Sequence, residues 1–105
     1  MALEPLTPEQ RSAALEKAFQ ARQARARIKA ELKEGKTSLK TVLDKAVVDE
    51  ALSKMKVVDL LRSIPGVGER RAHGIMEEVG IALSRRIKGL GIHQKAALLE
   101  RFDNA

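Results

Sequence analysis

The chain has no cysteine, no tryptophan and no tyrosine, and its 105 residues include only two aromatics, Phe19 and Phe102. Without cysteine there is neither a disulfide framework nor a thiolate metal site. With two aromatic rings, both expected to be taken up by packing, stacking on unpaired bases is disfavoured. No apolar run approaches the ~20 residues of a membrane span, and the N-terminus has no signal-peptide pattern. A cytoplasmic protein with no membrane partner is therefore expected. Acidic residues are in deficit: 14 Asp and Glu stand against 20 Lys and Arg, for a formal charge of +6 and a pI near 10.0. That balance favours a polyanionic partner, nucleic acid first, although basicity that serves solubility alone is the competing reading. The length suits one domain with a single modest core.

The apolar residues repeat at helical spacing, and no alternating strand pattern occurs. Thr7, Pro8 and Gln10 form an N-cap, a helix-starting proline and a capping box, and nothing interrupts the pattern until Gly35. Leu39, Val42, Leu43, Ala46 and Val47 follow behind a Ser38 cap, with a further turn at Asp49 to Lys54. Val57, Leu60, Leu61 and Ile64 make the next stripe, stopped by Pro65; Ala72, Ile75, Met76 and Val79 make another, closed by Gly80 as a C-cap. A short turn from Ser84 to Lys88, with Ser84 as its cap, leads to a last helix bearing Leu98, Leu99 and Phe102. The fold class is all-α: a long basic helix at 1–35 and a denser helical body at 36–105 within one structural domain. The first helix has few large apolar residues and is expected to pack poorly and project.

Charge on that helix is segregated. At about 100° per residue, Arg11, Arg22, Arg25, Lys29 and Lys33 fall within an arc of roughly 80°, with Glu9, Glu16, Glu31 and Glu34 opposite. Interleaved Glu and Lys would serve helix stability better, whereas a one-sided arc costs repulsion that an anionic surface relieves. Arg22, Arg25, Lys29 and Lys33 are the secondary contact candidates.

The stretch "SIPGVGERRAHGIMEEVG", from Ser63 to Gly80, places bare backbone in front of a helix start. Gly66 and Gly68 have access to dihedrals closed to other residues and carry no side chain to block approach. The helix start at Glu69 adds unpaired amides and the positive end of the dipole, so Gly66, Val67 and Gly68 can nest a phosphate, with Arg70 and Arg71 alongside. A tight turn using glycine for steric reasons alone is the competing reading. Between Glu78 and Glu100 no acidic residue occurs, while Arg85, Arg86, Lys88 and Lys95 do. This is the leading phosphate-contact segment, against a solvated surface turn. His93 has no second ligand at metal spacing, so no metal and no cofactor are expected; Met55 and Met76 read as core.

"IPGVGERRAHGIMEEVGI" resembles the helix-hairpin-helix motif, which holds the sugar-phosphate backbone of duplex DNA without reading bases. With "ALSRRIKGLGIHQKAALLERF" it resembles the helix-two-turn-helix arrangement of some DNA-repair glycosylases and a small-subunit ribosomal protein. The whole chain, through "LTPEQRSAALEKA", "SKMKVVDLLRSIPGVG" and "SRRIKGLGIHQKAALLERF", resembles the actinobacterial integration host factors, a family of small nucleoid-associated proteins. The resemblance implies a long N-terminal helix before a body with the two-turn motif, and sequence-tolerant binding of double-stranded DNA with bending or compaction. It also implies support of phage integration. By motif, Arg85, Arg86 and Lys88 match the family's basic cluster and Gly66 to Gly68 its hairpin; Glu69 stands where a basic residue is expected and competes there with phosphate.

Other classes remain in view. Glycosylase-lyases with this motif use an amino-terminal proline beside a glutamate, and this chain begins Met1-Ala2-Leu3. No alternative catalytic set is present, so no enzyme and no small-molecule substrate are expected. An RNA-binding, ribosome-like module is the runner-up, and a helical protein-interaction module with incidental charge is a third. A monomer gripping duplex phosphates through the hairpin amides and the cationic segment in concert, with the first helix on a second stretch, is the expected mechanism.

Overall fold

A computed structural model describes residues 5–103. Among them the chain forms six α-helices, α1 (Pro8–Lys33), α2 (Leu39–Ala46), α3 (Glu50–Ser53), α4 (Val57–Arg62), α5 (Glu69–Val79) and α6 (Ile92–Asp103), with a 3₁₀ turn at Ile87–Gly89. No β-strand is formed among the described residues; one isolated antiparallel bridge pairs Lys56 with Arg86.

Local chemistry sets the helix starts. The Thr7 hydroxyl accepts from the Gln10 amide at 3.1 Å while the Gln10 side chain accepts from the Thr7 amide at 2.9 Å, closing the capping box. Ser38 accepts from the Thr41 amide and Asp49 from the Leu52 amide, so α2 and α3 both begin on short polar side chains. At the other end of α5, Gly80 takes a left-handed conformation (φ 81°) as its C-cap.

The core collects the apolar stripe of each helix: Val42, Leu43, Leu52, Val57, Leu60, Leu61, Ala72, Met76 and Leu98 are all buried, with Met55 among them. Burying each large aliphatic side chain stabilises the fold by about 1.5–3 kcal/mol before entropic costs. α1 packs on α3, α2 on α3 and α6, and α4 on α5.

The first helix divides in two. Its last turns bury Ile28 and Leu32 in the common core, so the expectation of poor packing fails there. Earlier on the helix Leu15 and Phe19 are exposed, and the molecule measures 51 × 32 × 25 Å. Phe19, half exposed at 50%, is therefore not consumed by packing, contrary to the sequence reading; Phe102 does pack against the core. Val47 also departs from its stripe. It caps α2 with its side chain in solvent, because the chain turns at Val47 and Val48 to start α3 and the buried face ends at Ala46.

Candidate nucleic-acid interface

The glycine hairpin joins α4 to α5. Ile64 and Val67 pack inward, and the Val67 amide donates to the Ile64 carbonyl at 3.0 Å, which closes the turn. Gly66 adopts φ 80°, the left-handed region in which a Cβ is strained. Gly68 does not: at φ −84° and ψ −176° it is extended backbone available to any residue, and it serves α5 as an N-cap with no side chain. The freedom inferred for both glycines is thus required at Gly66 alone, and Gly68 contributes bareness instead of an unusual dihedral. The amides of Gly66, Gly68, Glu69, Arg70 and Arg71 make no hydrogen bond among the described residues; the first in α5 to do so is Ala72, which donates to the Gly68 carbonyl at 2.9 Å. Free amides converging at a helix start form an anion-binding concavity. Arg70 and Arg71 are exposed beside it, as is Glu69.

The acid-free segment is built differently. Arg85 and Ile87 are stitched to the stretch before α4: the Val57 amide donates to the Arg85 carbonyl at 3.0 Å, and the Ile87 amide to the Met55 carbonyl at 2.9 Å. With Ile87 buried beneath it, this pairing fixes the segment's course, and Ser84 makes no cap; Arg86 holds the N-cap position of the 3₁₀ turn without a side-chain bond to it. The Arg85 guanidinium donates to the Gly89 carbonyl at 2.9 Å and that of Arg86 to the Lys54 carbonyl. Both arginines are exposed and keep donors for a ligand, since five N–H groups are available on each.

Position separates the two features. The bridge lies at Lys56, immediately before α4, and the hairpin follows the helix's last residue, so a six-residue helix of about 9 Å stands between them. The hairpin amides and the arginine pair do not form one nest. What the bridge end does join is the first helix. Lys17, Arg22, Arg25 and Lys54 line a cleft of about 590 Å³ between α1 and α3, and Lys88 and Lys95 line a groove of about 490 Å³ beyond α3. Glu50 borders both, making them one surface. Its carboxylate pairs with Lys54 at 2.9 Å, and that hydrogen bond and charge, helped by Lys17 and Lys88, hold it below the usual carboxylate range.

Of the secondary candidates, Arg25 is half-buried with its guanidinium donating to the Ala51 carbonyl at 3.4 Å, Lys29 is half-buried, and Arg22 and Lys33 are exposed. Lys17 and Lys54 were missed by the sequence reading. Lys17 falls outside the basic arc of the helical wheel, and only the packing of α3 on α1 joins Lys54 to it in one cleft with Arg22 and Arg25. His93 is exposed, and no group of metal-binding side chains occurs among the described residues.

A glycine hairpin between paired helices, a second turn and a closing helix define a helix-two-turn-helix protein, and residues 32–102 match the family model of the S13-like H2TH domain. Integration host factor of Mycolicibacterium smegmatis is 56% identical over 105 residues, with all of both chains covered. That of Streptomyces coelicolor is 53% identical over 102 residues, 97% of this chain and 95% of the relative. The chain belongs to the actinobacterial integration host factor family. Among solved structures, sIHF bound to an 8bp palindromic DNA superposes with a TM-score of 0.81 at 47% identity, covering 83% of this chain and 98% of that one.

Proposed function

We propose that this protein binds double-stranded DNA with little regard to sequence, bends or compacts it, and supports site-specific phage integration as an architectural, non-catalytic partner. The observation that carries the reading is the set of free amides at Gly66 and from Gly68 to Arg71, on a fold whose relative sIHF has been solved bound to an 8bp palindromic DNA. Backbone amides hold phosphates and carry no base code, which is why sequence tolerance follows. Gly66, Val67 and Gly68, with Arg70 and Arg71, form one contact. Arg85, Arg86, Lys88 and Lys95, continuous with Arg22, Arg25, Lys17 and Lys54 on the first helix and α3, form another, with Lys29 and Lys33 extending it. The division of the chain into 1–35 and 36–105 then corresponds to a basic arm and the body that anchors it. Two contact areas on one monomer provide for bending or bridging, and binding of this kind places the protein on the nucleoid in the cytoplasm.

Gel shifts with duplex DNA, duplex RNA and single-stranded DNA across a salt series test the reading. With about six phosphates neutralised, log affinity for duplex DNA falls against log salt with a slope of about −5. Equal or tighter binding of duplex RNA would favour the ribosome-like reading, for which the match to an S13-like domain speaks.

A further inference from the structure

The turn between α2 and α3 presents two adjacent valines to solvent, Val47 at 75% exposure and Val48 at 89%. Neither is on a loose loop. The Val48 and Asp49 amides both donate to the Lys45 carbonyl, at 3.2 and 2.9 Å, and the Asp49 side chain then caps α3, so the turn is tied at both ends. β-Branched side chains add stiffness, since one χ1 rotamer dominates and little freedom remains to be lost on contact.

Their surroundings say what they meet. Both valines line the groove that also carries Lys88 and Lys95, and Lys45 lies in the adjoining last turn of α2. The three nearby acids are engaged inside the protein: Asp44 with Lys40 at 3.0 Å, Asp49 with the Leu52 amide, and Glu50 with Lys54. Lys45, Lys88 and Lys95 make no ion pair among the described residues. A small rigid apolar tip framed by lysines that form no ion pair is complementary to a ligand with apolar stacked faces between two anionic rails. A protein partner would need the same unusual combination of an apolar spot ringed by anions.

We propose that Val47 and Val48 form an apolar wedge that enters the minor groove of duplex DNA and opens a base step, while Lys45, Lys88 and Lys95 hold the flanking phosphates. Unstacking at one step kinks the duplex, and the bend lets further protein surface reach the backbone. The inference rests on the DNA-binding reading above and assigns the element that produces the bend.

The test compares wild type, V47S/V48S and V47I/V48I on an end-labelled duplex, reading bend by energy transfer and affinity by titration across salt. Both positions are exposed, so melting curves should coincide. In V47S/V48S the bend angle should fall by about half or more, while the salt slope changes by less than about one, because no phosphate contact is removed. V47I/V48I should bend the duplex at least as strongly as wild type. An unchanged bend in V47S/V48S, or wild-type binding without any bend, overturns the proposal. So does sedimentation without DNA in which wild type self-associates and V47S/V48S does not, which would make the tip an interface between copies. Failure of wild type to bind duplex at all would instead remove the DNA-binding reading itself.

Discussion

The two ends of α4, both proposed as phosphate contacts, present opposite kinds of donor. At the hairpin end the donors are main-chain amides left free by Gly66 and by the start of α5, and no side chain is needed for them to exist. At the bridge end the donors are guanidinium and ammonium groups, and two of them also hold the protein together, Arg85 on the Gly89 carbonyl and Arg86 on that of Lys54. Backbone donors are fixed by dihedral angles and fail when the conformation fails. Side-chain donors are removable singly, and removing one changes charge as well as geometry.

The sharpest way to break the hairpin end is Gly66→Val. A β-branched residue at φ 80° costs about 1–3 kcal/mol of backbone strain. The melting temperature should fall by about 4–8 °C for each kcal/mol, and calorimetry checks it. Loss of duplex binding should accompany the drop, because the free amides are redirected. A variant as stable as wild type would mean that the left-handed turn is dispensable.

Arg85→Ala with Arg86→Ala attacks the bridge end. The backbone bonds of Val57 and Ile87 across the bridge survive the change, so circular dichroism should show full helicity. Affinity should fall alike for all duplex sequences and the salt slope should become shallower by about 2, one for each lost cation. Loss confined to one sequence would point to base recognition instead. Arg→Lys at both positions separates charge from the carbonyl bonds.

The smallest effect on folding is expected at Gly68→Ala. Its dihedrals suit alanine and a Cβ there meets nothing within 4 Å, so stability should stay within about 0.5 kcal/mol of wild type. Any loss of affinity in this variant measures how closely the duplex backbone approaches the turn. Equal affinity would move the closest approach toward Gly66.

Much of this was legible in the chain. Caps, proline and glycine located the helices, and helical spacing named most of the core, because those signals are local: a hydroxyl reaches an amide three residues away, and an apolar stripe has the same period wherever the helix packs. The hairpin was legible for the same reason. The course of the segment after Val79 was not, since Ser84 was a sound local cap and lost to a bridge with residues some thirty positions earlier. Val47 was misplaced by periodicity, which reports that a face is apolar and not whether another element arrives to cover it, and Phe19 by the expectation that a scarce aromatic ring is buried.

By itself, then, the sequence determined the all-helical class, the free amides at the glycine turn and the family, all consequences of short-range bonding and of residues in a fixed order. Tertiary structure alone decided that Lys17, Arg22, Arg25 and Lys54 share a cleft, that Glu50 sits among cations of three elements, and that the hairpin and the arginine pair occupy opposite ends of α4. Those are distances between residues remote in the chain, fixed by which apolar faces bury one another, and no local pattern encodes them.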